Sequence, residues 1–252
     1  MINQQVSGVS NNTPLTPLKG GISDGGTLTI SRAALAQGAI YNLDKPEGWT
    51  SFDVVNKLRG ASRVKKVGHA GTLDPFATGV LLICFASATK QVESLMTLEK
   101  EYEGTFVLGV DTDSHDGTGK ITAQREVPSL SREQIEGALQ KYLGDIMQVP
   151  PMFSALKKEG RRLYDMARAG ESIEVEPRPV KIYQIELLHL NLPEVSLRVV
   201  CSRGTYIRAL ARDLGKDLGC GAFLKTLRRT RIGSYRVAQS LSVPQFIAGL
   251  TD

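Results

Sequence analysis

The chain has 252 residues, of which 41% are hydrophobic and 23% are charged, and its formal net charge is +5. This composition predicts one large globular domain or two small ones, each with enough apolar material for a core. The longest apolar run, Val80 to Ala86, is far shorter than the roughly 20 residues of a membrane-spanning helix, and no signal-peptide pattern opens the chain, which excludes a transmembrane protein and argues against secretion.

The N-terminal part of the chain divides into a leader and the start of a folded region. Residues 1–38 are rich in glycine, serine, threonine and asparagine and carry three charges, which predicts a flexible leader whose deletion leaves activity intact. A short strand is then predicted at Ile40 to Leu43, closed by the turn Asp44 to Gly48. Thr50 and Asp53 have capping-box spacing, which predicts a helix of two to three turns.

The rest of the chain alternates irregularly between strand and helix patterns. The predicted elements are strands at 80–86, 102–109, 181–190 and 195–201, and helices at 91–100, at 131–143 and after Gly204. The acidic turn Asp111 to Gly119 is interpreted as a hairpin loop, because Asp116 and Thr122 stand where a calcium loop needs glycine and glutamate. This irregular order predicts an α+β fold with a mixed sheet.

Positive charge is concentrated in two segments. Residues 57–66 contain five basic and no acidic residues, and residues 203–236 contain nine basic and two acidic residues, so the remainder of the chain is net acidic. A surface that binds a polyanion such as RNA needs concentrated charge of this kind. Two well-solvated helix faces would give the same pattern, and charge alone does not decide between them.

Several chemistries are excluded by missing motifs. The three cysteines form no Cys-x-x-Cys pair and are odd in number, which predicts a reducing, cytoplasmic location. The three histidines begin no zinc-protease or zinc-deaminase pattern. Lys120 and Lys216 follow glycines, but Ile121 and Asp217 stand where a P-loop needs a hydroxyl, so a nucleotide-hydrolysing P-loop is excluded as well.

One block holds a carboxylate on a glycine-rich loop. It runs from Gly68 to Leu82, with Asp74 directly before Pro75 and a buried strand directly after, so the carboxylate is predicted at the edge of the sheet. An Asp-Pro pair is often a simple turn. The block also contains a Gly-x-x-Gly at 68–71, which KH modules use to clamp RNA, although Pro75 stands where such a module continues into helix.

This block resembles the catalytic motif of the TruB family of tRNA pseudouridine synthases. The resemblance covers roughly residues 40–237 and includes five further blocks in the family's order. These are an opening motif at Leu43 to Gly48, a tyrosine motif at Lys100 to Tyr102, the start of an RNA-gripping insertion at Gln148 to Leu156, an arginine motif at Cys201 to Arg208 and a closing motif at Cys220 to Arg229.

The resemblance implies a fold and a reaction. The implied fold is a mixed, largely antiparallel sheet flanked by helices, with a catalytic cleft across the sheet. The implied reaction isomerises uridine to pseudouridine in the T loop of tRNA, at position 55, and needs neither cofactor nor metal. Asp74 matches the catalytic aspartate, Arg208 the arginine that pairs with it, and Tyr102 the tyrosine that stacks on the target base.

Further residues match the family's RNA-contacting positions. Tyr206 and Leu227 match the substrate pocket, although a plain core role is also open for Leu227, and His69 matches a residue that touches the RNA beside the flipped nucleotide. The residues expected to grip phosphates are Lys65, Lys66, Arg161, Arg162, Arg228 and Arg229. The expected partner is the T arm of tRNA, the expected state is a monomer, and no membrane is involved.

The resemblance also predicts the domain organisation. A catalytic domain is expected at 39–237, with the RNA-gripping insertion at about 147–178 and a short tail at 238–252. Many bacterial members continue into a PUA domain, which this sequence is expected to lack. Two alternatives remain: an RNA-binding or tRNA-folding module of the same fold without activity, and a KH-like sequence reader.

Overall fold

A mixed sheet forms the centre of the molecule, and the computed structural model describes residues 21–22, 28–154, 157–158, 160–162, 166 and 175–252. The strands of the central sheet are β3 (Gly38–Lys45), β4 (Val67–Ala70), β5 (Thr78–Ala86), β6 (Lys100–Leu108), β9 (Gly144–Gln148), β12 (Arg178–Asn191), β13 (Glu194–Cys201), β14 (Ala222–Ile232), β15 (Tyr235–Arg236) and β16 (Leu241–Ser242). Eight of them follow the order β16-β3-β5-β14-β6-β13-β12-β9, and β4 and β15 pair with β5 and β14.

The sheet is mixed, with mostly antiparallel neighbours. The parallel pairs are β5 with β14 and β3 with β16. The predicted α+β fold with a mixed, largely antiparallel sheet is therefore confirmed. The seven apolar residues at 80–86 form the interior of β5, and the alternating residues of β13 point into the core, as their patterns predict.

Seven further short strands form three small sheets. They are β1 (Gly21–Ile22), β2 (Leu28–Ser31) and β17 (Leu250–Thr251) in one sheet, β7 (Val110–Thr112) and β8 (Ile121–Gln124) in a second, and β10 (Lys157–Lys158) and β11 (Arg161–Arg162) in a third. The acidic turn joins β7 to β8, which confirms the predicted hairpin loop. Within the predicted RNA-gripping insertion, residues 155–156, 159, 163–165 and 167–174 lie outside the described residues.

Among the described residues, six helices with defined bounds pack against the sheets. They are α1 (Arg32–Gln37), α2 (Ser51–Ser62), α3 (Val92–Thr97), α4 (Arg132–Leu139), α5 (Ile207–Asp217) and α6 (Val243–Ala248), with 3₁₀ turns at Ser87–Gln91, Gln140–Tyr142 and Val237–Gln239. The capping boxes predicted for α2 and α4 are both present. In the part of the chain that the structure describes, no helix is long and apolar enough to cross a membrane.

Two buried clusters fix the loop between β4 and β5, which carries Asp74. One cluster joins α4 and α5 to β6, β13 and β14, and includes Leu73 and Ala77 on either side of Asp74. The other joins α1, α2 and α6 to β3 and β5. Gly79, at φ +103°, begins the return into β5 opposite Arg229 of β14, where a side chain would overlap the Arg229 backbone. The loop is thus held at both ends.

Residues 28–38 and 241–251 pack into the folded unit, although the sequence analysis assigns them to a leader and a tail. The predicted leader includes β2 and α1, which bury Ile30 and Leu35, and the predicted tail includes α6, which buries Phe246. These two segments also bind each other, because β17 runs parallel to β2 and the Ile30 amide donates to the Gly249 carbonyl at 2.7 Å. Residues 1–20 and 23–27 of the predicted leader lie outside the described residues.

Replacing Leu35 with alanine is expected to lower the free energy of unfolding by about 2 to 5 kcal/mol, the usual cost of emptying a fully buried leucine site. Leu35 is 0% exposed and shares its cluster with Phe246 and Tyr41. Urea denaturation measures the effect, with the exposed Gln37→Ala on the same helix as control. Equal stability of the two variants would contradict this packing. For the same reason, deleting residues 1–38 is expected to destabilise the protein.

Candidate active site

Asp74 lies on a loop that is bonded to its surroundings on both sides. The Ser51 hydroxyl accepts from the Leu73 amide at 2.9 Å and donates to the Leu73 carbonyl at 3.2 Å. The Pro75 carbonyl accepts from the Gly48 amide at 2.9 Å, and the Asp74 carbonyl accepts from the Ala77 amide at 3.1 Å. Because both neighbours of Asp74 are fixed in this way, the carboxylate has little freedom to move.

Lys45 is a buried cation that ties two loops together. Its ammonium donates to the carbonyls of Pro46, Trp49 and Pro75, at 2.8, 2.6 and 3.1 Å. Burial lowers the pKa of Lys45 to about 8, and the charge of Asp74 opposes that change. Three carbonyls satisfy its three donors, so Lys45 holds the turn after β3 against the Asp74 loop.

Arg208 faces Asp74 from the first turn of α5 and has acceptors around its whole guanidinium group. Nε lies 2.9 Å from one Asp74 oxygen and Nη2 donates to the other at 3.0 Å, which makes a bidentate pair. Nη2 also donates to the Phe153 carbonyl at 2.8 Å, and Nη1 to the Ser114 carbonyl at 3.2 Å. The Arg208 side chain is 4% exposed, whereas that of Asp74 is 33% exposed. The carboxylate is therefore partly accessible to solvent, whereas the guanidinium is buried.

Asp116 is a second carboxylate on the same guanidinium. Its Oδ2 lies 3.5 Å from Arg208 Nη1, and its Oδ1 accepts from the Ser114 hydroxyl at 2.7 Å and from the Thr118 amide at 3.0 Å. Asp116 lies in the loop between β7 and β8 and is buried. Arg208 is thus held between two aspartates, one of which is accessible and one of which is not.

The protonation of Asp74 reflects opposing influences. Burial raises the pKa of the Asp74 carboxyl above its ordinary value, Arg208 opposes this by charge and hydrogen bonds, Asp116 adds to the rise, and Lys45 opposes it. The sequence analysis anticipated the guanidinium of Arg208 but not the carboxylate of Asp116. The desolvation outweighs the ion pair, so the carboxyl takes up a proton more readily than an ordinary aspartate.

Two tyrosines complete the walls around Asp74. Burial raises the pKa of Tyr102, to whose hydroxyl Arg229 donates a hydrogen bond, and the charge of Asp74 acts on the same group. Burial also raises the pKa of Tyr206, on which the charges of Arg208 and Asp74 both act. A partly exposed carboxylate near enough to two tyrosines for its charge to act on both can receive a planar base next to a sugar.

Comparison with known proteins identifies the family. Residues 59–207 match the model of the TruB family pseudouridylate synthase N-terminal domain, and residues 208–249 match that of the tRNA pseudouridylate synthase B C-terminal domain. The chain belongs to the TruB family. The residues predicted to react lie within the first match, apart from Arg208, which begins the second.

Individual members of the family and one solved structure are similar over most of the chain. A tRNA pseudouridine synthase B of Phocaeicola vulgatus is 50% identical over 217 residues, which cover 83% of this chain and 92% of that protein. One of Francisella philomiragia is 48% identical over 202 residues, covering 80% and 67%. A crystal structure of a Cbf5-Nop10-Gar1 complex matches with a TM-score of 0.67 and 30% identity, covering 84% of this chain and 54% of that chain. This chain therefore spans about half the length of that structural relative.

The residues predicted from the TruB resemblance divide into four that form or surround the Asp74–Arg208 pair and two, His69 and Leu227, that lie on β4 and β14. Asp74, Arg208, Tyr102 and Tyr206 lie together, as described above. His69 lies on β4, where burial and the charge of Arg229 lower its pKa, and its buried Nδ1 has no hydrogen-bond partner among the described residues. Leu227, 7% exposed, lies in the first buried cluster, against which Tyr102 packs. For Leu227 the structure favours the core role that the sequence left open.

Two predicted phosphate contacts on β14 are committed to the protein instead. Arg229 is 1% exposed and donates to the Val80 and Gly71 carbonyls at 2.7 and 3.0 Å, so the prediction that it grips a phosphate is wrong. It fixes the strand after Asp74 and the start of the Asp74 loop. Arg228 donates to both carboxylate oxygens of Asp44, at 2.7 and 3.3 Å, so a phosphate would have to displace that pair.

The two basic segments therefore differ. All five basic residues at 57–66 are exposed, and no ion pair engages them in the described part of the chain; they are Lys57, Arg59, Arg63, Lys65 and Lys66. In the second segment most cations pair with acids, such as Arg231 with Glu99 at 2.5 Å. Arg161 is exposed, and the side chain of Arg162 lies outside the described residues. The free positive surface lies at the end of α2.

Sequence reasoning missed Asp116 and Lys45 as parts of the site. Lys45 stands in the opening motif. It is the only lysine of β3, a mostly apolar strand, and this pattern could have indicated that its side chain is buried. Asp116 had no such signal, because its partner lies on a distant helix.

Proposed function

We propose that this chain is a tRNA pseudouridine synthase that isomerises the uridine at position 55 in the T loop. The observation that carries the proposal is the bidentate Asp74–Arg208 pair, with the carboxylate at the accessible side of the cleft, in a member of the TruB family. The enzyme is an isomerase, and its substrate is tRNA. A pure binding module would gain nothing from a carboxylate held where phosphates must approach.

The reaction needs two things from the protein, which are a correctly positioned nucleotide and an ionised carboxylate beside its sugar. The bond from uracil N1 to ribose C1′ breaks, the base turns, a bond forms from C5 to C1′, and the C5 proton is lost while N1 gains one. Atoms and electrons balance within the nucleotide, so neither a redox cofactor nor ATP is consumed. Asp74 supplies the ionised carboxylate that acts beside the sugar as nucleophile or base, and Arg208 orients it.

The target base must leave the T loop to reach Asp74. Flipping costs a few kcal/mol and is repaid by stacking and edge contacts in the pocket. We assign the stacking face to Tyr102, whose hydroxyl is oriented by Arg229, and a second wall to Tyr206. We assign to His69, on β4, the contact with the RNA beside the flipped nucleotide. Leu227 belongs to the buried cluster against which Tyr102 packs.

The exposed basic surface at 57–66 is proposed to hold the tRNA backbone, with Arg161 and Arg162 contributing from the inserted region. Replacing Lys65 and Lys66 together with alanine is expected to weaken tRNA binding and to reduce the slope of log affinity against log salt by about one per lysine that contacts a phosphate. Filter binding at several salt concentrations measures the slope. An unchanged slope would place the RNA elsewhere, and the exposed Lys181→Ala, on the far strand β12, is the control.

The cellular setting follows from the substrate and the cysteines. Cys84, Cys201 and Cys220 are all free and buried, and tRNA is modified where translation occurs, so we propose that the enzyme acts in the cytoplasm and as a monomer.

The deciding experiment uses an unmodified tRNA transcript carrying tritium at uracil C5. The purified protein should release tritium as water, in an amount that matches one uridine per tRNA. The same transcript with cytidine at position 55 is the control and should release none. Absence of release from the first transcript, with tRNA binding intact, would instead support the inactive RNA-binding module; equal release from both would reject position 55.

The raised pKa of Asp74 predicts that the reaction slows as the solution becomes acidic. The ionised form is the active one, so the single-turnover rate falls as the pH is lowered through that pKa. Because the pKa is raised, the fall begins above the pH of about 4 expected for an ordinary aspartate. Tritium release with saturating enzyme measures the rate, and tRNA affinity at each pH separates binding from chemistry. A rate that stays level down to about pH 4 would contradict the burial of Asp74.

A further inference from the structure

Gln148 makes a two-point contact that neither the fold nor the reaction described above uses. It ends strand β9 and is 2% exposed. Its side-chain Nε2 donates to the Tyr206 carbonyl at 3.1 Å, and its Oε1 accepts from the Tyr206 amide at 2.8 Å. The side-chain amide thus pairs with both backbone groups of one residue, as a neighbouring strand would. Its burial makes either bond costly to lose.

Gln148 makes this contact with the residue directly before α5, the helix that carries Arg208. Tyr206 is the N-cap of α5, which has no capping side chain of its own, and its carbonyl also accepts the first helical bond from the Leu210 amide at 3.1 Å. Arg208 follows two residues later. A shift of the Tyr206 peptide would therefore move the first turn of α5, and with it the guanidinium that grips Asp74 at 2.9 and 3.0 Å.

The chain that follows Gln148 lies along the same helix. The Val149 carbonyl accepts from Arg212 Nη2 at 3.0 Å, and the Phe153 carbonyl accepts from Arg208 Nη2 at 2.8 Å. These two contacts use carbonyls of the segment, whereas the contact with Tyr206 uses the side chain of Gln148. Gln148 can therefore be changed by mutation while the neighbouring contacts keep their chemical groups.

We propose that Gln148 is a positioning residue of the reaction, which fixes the Tyr206 peptide and thereby sets the approach of Arg208 to Asp74. The inference rests on the proposed function, because its readout is the rate of uridine isomerisation. A displacement of about 1 Å in a catalytic group can cost on the order of 10²-fold in rate. Gln148 touches neither the nucleotide nor Asp74, so its loss should slow the chemical step and leave tRNA binding intact.

The test compares Gln148→Ala and Gln148→Glu with the wild type and with Gln184→Ala, an exposed glutamine on β12. Gln148→Ala is expected to lower kcat by about 10- to 100-fold with KM and tRNA affinity nearly unchanged. Gln148→Glu has nearly the same volume and keeps the acceptor for the Tyr206 amide, but its second oxygen faces the Tyr206 carbonyl without a donor, so its rate should fall at least as far as that of Gln148→Ala. It fills the space that alanine leaves empty and is the second variant if alanine weakens the fold. Gln184→Ala should react as the wild type does.

A double variant separates positioning from a purely structural role. If Gln148 acts through Arg208, adding Gln148→Ala to Arg208→Lys should slow the reaction much less than it slows the wild type. Wild-type kcat in both Gln148 variants, a rise in KM alone, or full multiplication of the two effects would overturn the proposal. If the wild type itself releases no tritium, the proposed function fails instead, so the two failures are distinct.

Discussion

Replacing Asp74 with asparagine is expected to remove tritium release while tRNA binding persists. Asparagine has the same shape and can still accept a hydrogen bond from Arg208, but it carries no charge and acts neither as base nor as nucleophile. Loss of a group in that role lowers the rate by about 10²- to 10⁴-fold or more. Single-turnover tritium release measures the rate, and filter binding measures the affinity.

The matched control for this variant is Asp145→Asn. Asp145 is exposed on the edge strand β9 and pairs with Lys181 at 3.1 Å, so the same chemical change there should leave the rate unaltered. Mass spectrometry of the Asp74→Asn protein guards against residual aspartate from deamidation. A variant that retains the wild-type rate would show that another group performs the reaction.

Replacing Arg208 with lysine is expected to slow the reaction by about 10²-fold, the usual effect of removing one positioned donor from a reacting charge. The guanidinium of Arg208 now reaches Asp74, Asp116 and the carbonyls of Ser114 and Phe153. An ammonium has three donors and no planar fork, so it cannot hold both Asp74 oxygens and the buried acceptors together. Free energy of unfolding should fall too, by about 1 to 3 kcal/mol for each buried acceptor left unpaired.

The control for this change is Arg203→Lys. Arg203 lies near the same helix but forms an exposed pair with Glu93 at 3.2 Å, and exposed pairs contribute at most about 1 kcal/mol. Tritium release and urea denaturation of the two lysine variants give both comparisons. Normal turnover by Arg208→Lys would mean that the bidentate grip on Asp74 has no part in the reaction.

The elements that the sequence predicts well are those set by local chemistry. The capping boxes of Thr50 with Asp53 and of Ser131 with Gln134 lie within four residues, so the helices they start could be identified without knowledge of the fold. The apolar run of β5 is equally local. Strand β14 was not predicted, because Arg228, Arg229 and Arg231 make its sequence resemble an exposed basic surface.

What the sequence could not predict depends on partners far along the chain. Arg229 is identified as structural only when Val80 and Gly71 supply its acceptors, and Asp116 as part of the site only when α5 brings Arg208 to it. The same reason explains why residues 28–37 are assigned to a leader in the sequence analysis. Their composition is leader-like, but Leu35 is buried in a cluster that includes Phe246 of α6, and Ile30 pairs with Leu250 of β17.

The acceptors of Arg208 come from three separate stretches, 134, 94 and 55 residues earlier in the sequence. During synthesis each of them leaves the ribosome well before the guanidinium that will organise them. A nascent chain therefore has no Asp74–Arg208 pair until α5 has emerged and docked, and fragments that end before that helix lack the guanidinium altogether.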